Sequence, residues 1–200
     1  MALVVHSSPA DDGAHASEVL PRLHLGNAAF SARRELLAAH AITHVVSLAS
    51  LDGFGARFPD AFMYHVVDVE DARGARGALE AALPAAAAFI AAALAGDARA
   101  RVLVHCNVGT SRSVAAVLFY MLAHCGATLR GALLRVMAAR AGDARAPYTH
   151  PNIGFWAALV DAEVAIRGGP TTLPVAEYLE RFSTGRNLAA DPGAALAEER

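Results

Sequence analysis

Residues 102–123 dictate a change of direction that few architectures provide. Val102-Leu103-Val104 is apolar and mostly β-branched, as a buried strand requires. Val114 to Ala123 carries the apolar density of a packed helix. Between them lies His105-Cys106-Asn107-Val108-Gly109-Thr110-Ser111-Arg112-Ser113. A strand that turns within so few residues into a helix belongs to an α/β layer structure, and it places the connecting loop at the C-terminal end of the strand.

The residues in that loop suit the binding of an anion beside a sulfur atom. A loop feeding a helix presents free N–H groups, and the helix dipole adds partial positive charge. Successive amides in such a turn form an anion-binding nest, which would be drawn from Asn107, Val108, Gly109, Thr110 and Ser111. Gly109 relieves crowding where the loop curls. The same field favours a thiolate at Cys106. Arg112 offers a planar fork for two phosphate oxygens at once. Ser113 stands where its hydroxyl can hydrogen-bond the sulfur and ease its departure. His105 is expected to prop the loop and not to touch substrate. Taken singly, a cysteine after an apolar strand is a small buried hydrophobe and an arginine at a helix start is a surface charge. Nine such residues in a strand–loop–helix context point instead to a phosphate held over a sulfur nucleophile.

With those residues in place, the chain resembles the cysteine-dependent protein tyrosine phosphatase superfamily, in its dual-specificity branch. His-Cys, five residues, then Arg-Ser is that family's signature. The resemblance covers about residues 17–165. Leu23-His24-Leu25-Gly26-Asn27 looks like the family's opening strand and turn, Ile42-Thr43-His44-Val45-Val46 like its next core strand, and Pro151-Asn152 with Phe155 like the start of its last helix. The resemblance implies that the loop residues and Arg112 bind phosphate, that Cys106 becomes phosphorylated and that Ser113 assists its release. It also implies an aspartic acid on a separate loop, which protonates the leaving oxygen and later deprotonates water. Tyr64-His65-Val66-Val67-Asp68-Val69-Glu70-Asp71 holds the candidates, and the family's spacing from the aromatic selects Asp71 over Asp68 and Glu70. A charge cluster of this kind is otherwise a solvated turn. The glycine- and arginine-rich Ala72–Gly77 that follows is either a loop or a surface for acidic phosphosubstrates.

The remaining sequence narrows the class. Two hundred residues suit one domain with a sizeable core. A net charge of −2 gives no reason to expect nucleic-acid binding or a polybasic membrane patch. All 17 basic residues are arginines, which together with the alanine excess reflects coding bias. Two cysteines, Cys106 and Cys125, argue against a disulfide framework, and a thiolate nucleophile needs a reducing compartment. The expected location is therefore intracellular, cytoplasmic or nuclear. Cys125 is expected to be a buried structural thiol. The His-Cys pairs lack metal-ligand spacing, so neither a metal nor another cofactor is expected. The apolar start is too short for a signal peptide, alanine at position 2 excludes myristoylation, and the alanine-rich 81–95 reads as a packed helix.

Periodicity predicts strands near 19–25, 42–49, 62–68 and 101–105, and helices near 28–40, 78–95, 112–124, 128–141 and 151–166. The fold class is thus α/β, a parallel-rich twisted sheet flanked by helices. The expected organisation is a disordered arm over 1–17, a catalytic domain over 18–167 and an extension over 168–200. In that extension, 173–182 forms a short helix with Val175, Leu179 and Phe182 on one face, followed by a loose tail. The resemblance is to the small, catalytic-domain-only members, acting on phosphotyrosine and phosphoserine/threonine in proteins. The neutral side chains of the loop favour protein over lipid or nucleotide substrates. A lipid or nucleotide phosphatase on the same fold, or a phosphoprotein-binding module without turnover, are the alternatives. Monomer and dimer are both open.

Overall fold

A computed structural model describes residues 13–48, 55–142 and 149–183. The loose arm expected before residue 13 and the tail expected after 183 lie outside those residues. Within the described part, five strands form one sheet: β1 (Ala16–Leu20), β2 (Leu23–Asn27), β3 (His44–Leu48), β4 (Met63–Val67) and β5 (Val102–Cys106), in the order β1-β2-β5-β3-β4. The β2–β5, β5–β3 and β3–β4 pairs are parallel and β1–β2 is antiparallel. β5 is central and all five of its residues are buried. That matches a strand buried on both faces and written as an apolar run.

Two helices, α1 (Ala28–Ser31) and α2 (Arg34–Ala39), accompany one side of the sheet, where Phe30, Leu37, Ile42, Val45 and Leu103 form a small core. The larger core lies on the other side. It is built by α3 (Arg76–Gly96), α4 (Arg112–Cys125), α5 (Leu129–Ala139), α6 (Ile153–Arg167) and α7 (Val175–Ser183). α3 is long and apolar enough by composition to cross a bilayer, yet its stripe Leu79, Leu83, Ala86, Ala87, Ile90 and Ala93 is shut in this core. α4 runs beneath the sheet with ten buried residues.

Four expectations need correction. The strand expected at 19–25 is a hairpin, and β1 begins at Ala16, inside the stretch expected to be a loose arm. Its two-residue turn puts Arg22 at φ 68°. Arg22 holds that conformation by donating its backbone N–H to Glu18 Oε1 at 2.7 Å and its guanidinium to the Leu94 and Asp97 carbonyls at 3.0 Å. The helix expected at 28–40 is broken at Arg33, whose extended backbone (φ −111°, ψ 101°) starts α2 afresh. In α7, Val175 and Phe182 do face the core, but the third member is buried Tyr178, and Leu179 is 46% exposed. The large ring of Tyr178 stacks on Trp156 and sets the rotation of the helix. Finally, Cys125 is exposed at the end of α4, not buried.

Candidate active site

The loop leaving β5 is shaped by contacts from three directions. Gly109 adopts φ 80°, and a Cβ there would lie 2.6 Å from the Gly26 carbonyl oxygen of β2. Only glycine meets both conditions. The Gly109 carbonyl accepts from Arg140 Nη1 at 2.6 Å, and the Asn107 carbonyl accepts from Ala28 N at 3.2 Å. Arg140, just past the end of α5, is fully buried. Its second terminal nitrogen, Nη2, lies 3.0 Å from His15 Nε2. A guanidinium only donates, so His15 accepts there as a neutral ring and turns its Nδ1–H to the Gly13 carbonyl, 3.3 Å away. Asn27 ties the same segment down: its Nδ2 donates to the Gly13 carbonyl at 2.6 Å, and its Oδ1 caps α1 at Phe30 N.

The parallel register of β2 and β5 sets Asn27 beside Cys106 at the sheet's C-terminal edge. Cys106 Sγ accepts from Gly109 N at 3.2 Å and lies 3.2 Å from Ser113 Oγ. Both cysteine and serine are buried. His105 sits inside β5, between Gly26 and Ser47 of the neighbouring strands. Burial lowers its pKa to about 4, so it is neutral near pH 7. It is part of the sheet beneath the loop, in keeping with a supporting place. Asn107 and Thr110 are half-buried and Val108 is 53% exposed, so the loop opens at the surface.

Arg112 begins α4 and is buried. Its Nη1 donates to the Val69 carbonyl at 3.0 Å, which draws the acidic segment after β4 over the loop. All three carboxylates in that segment are exposed, and Asp71 is the one hydrogen-bonded to the loop. Asp71 Oδ1 accepts from Ser111 Oγ at 2.8 Å and from Asn152 Nδ2 at 2.7 Å. Its Oδ2 stands 3.7 Å from Arg112 Nε, an ion pair beyond hydrogen-bond length. Ser111 is the N-cap residue of α4 but spends its hydroxyl on Asp71 and on Asn152 N, leaving the first turn of α4 with no side-chain cap. Uncapped amides, the dipole, a buried guanidinium and a buried thiol thus converge on one point. That arrangement can hold a tetrahedral dianion against sulfur.

The family model for the dual specificity phosphatase catalytic domain matches residues 23–165. The chain belongs to the dual-specificity phosphatase family. Dual specificity phosphatase 28 from Homo sapiens is 34% identical over 149 residues, 74% of this chain and 78% of the relative. Dual specificity protein phosphatase 1 from Arabidopsis thaliana is 34% identical over 145 residues, 72% of this chain and 67% of the relative. Protein phosphatase Slingshot homolog 3 from Rattus norvegicus is 38% identical over 144 residues, but the chain spans only 20% of that protein's length. The human DUSP28 crystal structure superposes with a TM-score of 0.65 at 31% identity, covering 76% of this chain and 95% of that one.

As a dual-specificity phosphatase domain, the chain has a site that only partly shows in its signature. Arg140, His15 and Asn152 reach the loop or Asp71 from distant segments. Asn152 had a visible signal, an asparagine ahead of an apolar run. That signal announces an N-cap, and Asn152 Oδ1 does accept from Gly154 N and Phe155 N. Its second task at Asp71 is visible only in the fold. The packed structure of this chain extends further than the family match, because α7 lies wholly beyond residue 165 and packs on α6.

Proposed function

We propose that the domain hydrolyses phosphotyrosine and phosphoserine/threonine in proteins through a phospho-cysteine intermediate. One observation carries this: Cys106 Sγ lies 3.2 Å from both Gly109 N and Ser113 Oγ, at the start of a helix opened by buried Arg112. The family model and the dual specificity phosphatases among its relatives support protein phosphatase activity.

In the first step the Cys106 thiolate attacks phosphorus while Arg112 and the amides of residues 107–112 hold the equatorial oxygens. The bond from phosphorus to the substrate oxygen breaks, and Asp71 gives that oxygen its proton. In the second step water attacks the phospho-cysteine, its proton passes to the Asp71 carboxylate, and the P–S bond breaks. The Ser113 hydroxyl donates to the departing sulfur. Inorganic phosphate leaves and the thiolate is restored. The open loop, with Val108 exposed, suits both the short phosphoserine and the long phosphotyrosine side chain. The need of a thiolate nucleophile to stay reduced supports a reducing intracellular compartment, cytoplasm or nucleus, as its setting.

The test is metal-free hydrolysis of an aryl phosphate and of phosphotyrosyl and phosphoseryl peptides under reducing conditions. Cys106→Ser should lower turnover by about a thousand-fold or more while phosphopeptide binding persists. Near-wild-type activity in that variant would remove Cys106 from the mechanism. Turnover confined to inositol lipids or triphosphorylated RNA ends would reassign the substrate class. Binding without turnover by folded wild type would make the domain a phosphoprotein-binding module.

A further inference from the structure

α7 lies outside the matched family domain, yet it is fastened to the corner that holds Asp71. The fastening starts at Glu163, a fully buried carboxylate on α6. It accepts from Leu129 N at the start of α5 at 2.6 Å and from Thr171 Oγ1, Thr172 N and Thr172 Oγ1 at 2.6, 2.7 and 2.8 Å. A carboxylate with four donors stays ionised, and its pKa is lowered in spite of burial. Glu163 thereby locks the segment leading into α7 onto the body of the domain. Arg130 adds a second lock. Its Nε donates to the Thr172 carbonyl at 3.0 Å and its Nη2 to Glu177 Oε2 of α7 at 2.8 Å.

So fixed, α7 presents two aromatic rings to the chain just before α6. Tyr178 stacks on Trp156 with ring centroids 3.9 Å apart and planes 6° apart. Its hydroxyl, kept protonated by burial, donates to the Pro151 carbonyl at 2.5 Å. Phe182 meets the His150 ring at 4.8 Å. His150 and Pro151 are the two residues before Asn152. Asn152 donates its backbone N–H to Ser111 and its side-chain amide to Asp71. The peptide joining Pro151 to Asn152 therefore carries the Tyr178 contact on its carbonyl and the Ser111 contact on its N–H.

We propose that α7 is a positioning element for the acid, with Tyr178 as the positioning residue that sets the Pro151–Asn152 peptide and so the orientation of Asp71. The inference rests on the reading of Asp71 as the proton donor. Tyr178 touches neither substrate nor the reacting atoms. Its effect falls on steps that need a proton delivered and spares those that do not.

The experiment uses the full chain and two substrates of opposite demand. Para-nitrophenyl phosphate releases a stabilised phenolate and needs little acid, whereas a phosphoseryl peptide releases an alkoxide and needs it most. Tyr178→Phe keeps the stacked ring and removes the hydrogen bond. It should lower kcat/KM, which reports only the leaving-group step and not the shared hydrolysis of phospho-cysteine, by about five-fold for the phosphoseryl peptide and leave that for para-nitrophenyl phosphate within about two-fold. In an Asp71→Asn background the same change should add nothing, because the group being positioned is gone. Glu177→Gln, which loosens α7 without touching Pro151, should show the same selectivity more weakly. Equal losses on both substrates, or no loss, in Tyr178→Phe overturn the role of α7 if Asp71→Asn itself is selective. An unselective Asp71→Asn removes the acid assignment and the inference together.

Discussion

At Gly109 the loop turns through φ 80°, and a Cβ would stand 2.6 Å from the Gly26 carbonyl oxygen. Alanine in the left-handed region costs about 1–2 kcal/mol before any clash is counted. The clash is with backbone of β2, which the parallel ladder to β5 holds in place. Gly109→Ala should therefore push the loop away from Gly26 and carry its N–H away from Cys106 Sγ. The expected outcome is a fall in vanadate affinity of more than about ten-fold with a lowered Tm, measured by inhibition and by thermal unfolding. Cys106, Gly109, Arg112 and Ser113 were all legible in the sequence because one loop needs them in one order. Asn152 and Arg140 were not legible as partners of that loop. They bond it or its acid from 41 and 31 residues away, and no local pattern marks an arginine that will end fully buried beneath a glycine carbonyl.

Among the elements, α6 packs tightly against the 3-10 turn Arg73–Ala75 next to Asp71. A Cβ on Gly154, in the first turn of α6, would lie 2.5 Å from the Arg73 carbonyl oxygen. Glycine to alanine inside a helix ordinarily stabilises by about 1 kcal/mol. Here it should not, because the turn that must yield begins two residues after Asp71. Gly154→Ala should lower Tm and reduce kcat/KM for phosphoseryl peptides more than for para-nitrophenyl phosphate. A stabilised variant with unchanged selectivity would show that α6 and the turn part freely. The elements that the sequence announced well were those with a long apolar period, such as α3, α4 and α6. The β1–β2 hairpin and the α1–α2 break escaped notice because each turns on the backbone of a single residue, Arg22 in one and Arg33 in the other. Arg22 is held by carbonyls near the end of α3, a bond that no window of neighbours contains.

Across the whole molecule, burial lowers the pKa of His24, His44, His65, His105 and His150. Each of these rings resists protonation in the folded chain and accepts it in the unfolded chain near the ordinary value of 6.5. Stability from these groups is therefore full above pH 6.5 and drains away as the pH falls below it. For His105 the loss runs down to about pH 4 and amounts to about 3 kcal/mol. His105→Gln should flatten the fall in unfolding free energy between pH 6.5 and 4 by about one proton's worth of slope, read from denaturant titrations across that range. An unchanged slope would mean that His105 protonates as readily in the fold as outside it. The α/β class was legible at this scale from the alternation of strand and helix patterns alone. How the flanking segments serve the site was not, since His15 and Tyr178 lie at opposite ends of the described chain. That placement has a practical consequence for anyone dissecting the protein. A fragment trimmed to the 23–165 span that the family model matches would retain Cys106, Arg112 and Asp71. It would forfeit the histidine under Gly109 at one end and the tyrosine behind Asn152 at the other. Given the proposed role of α7, such a fragment would be expected to turn over phosphoseryl peptides poorly, and that weakness would be mistaken for the character of the enzyme.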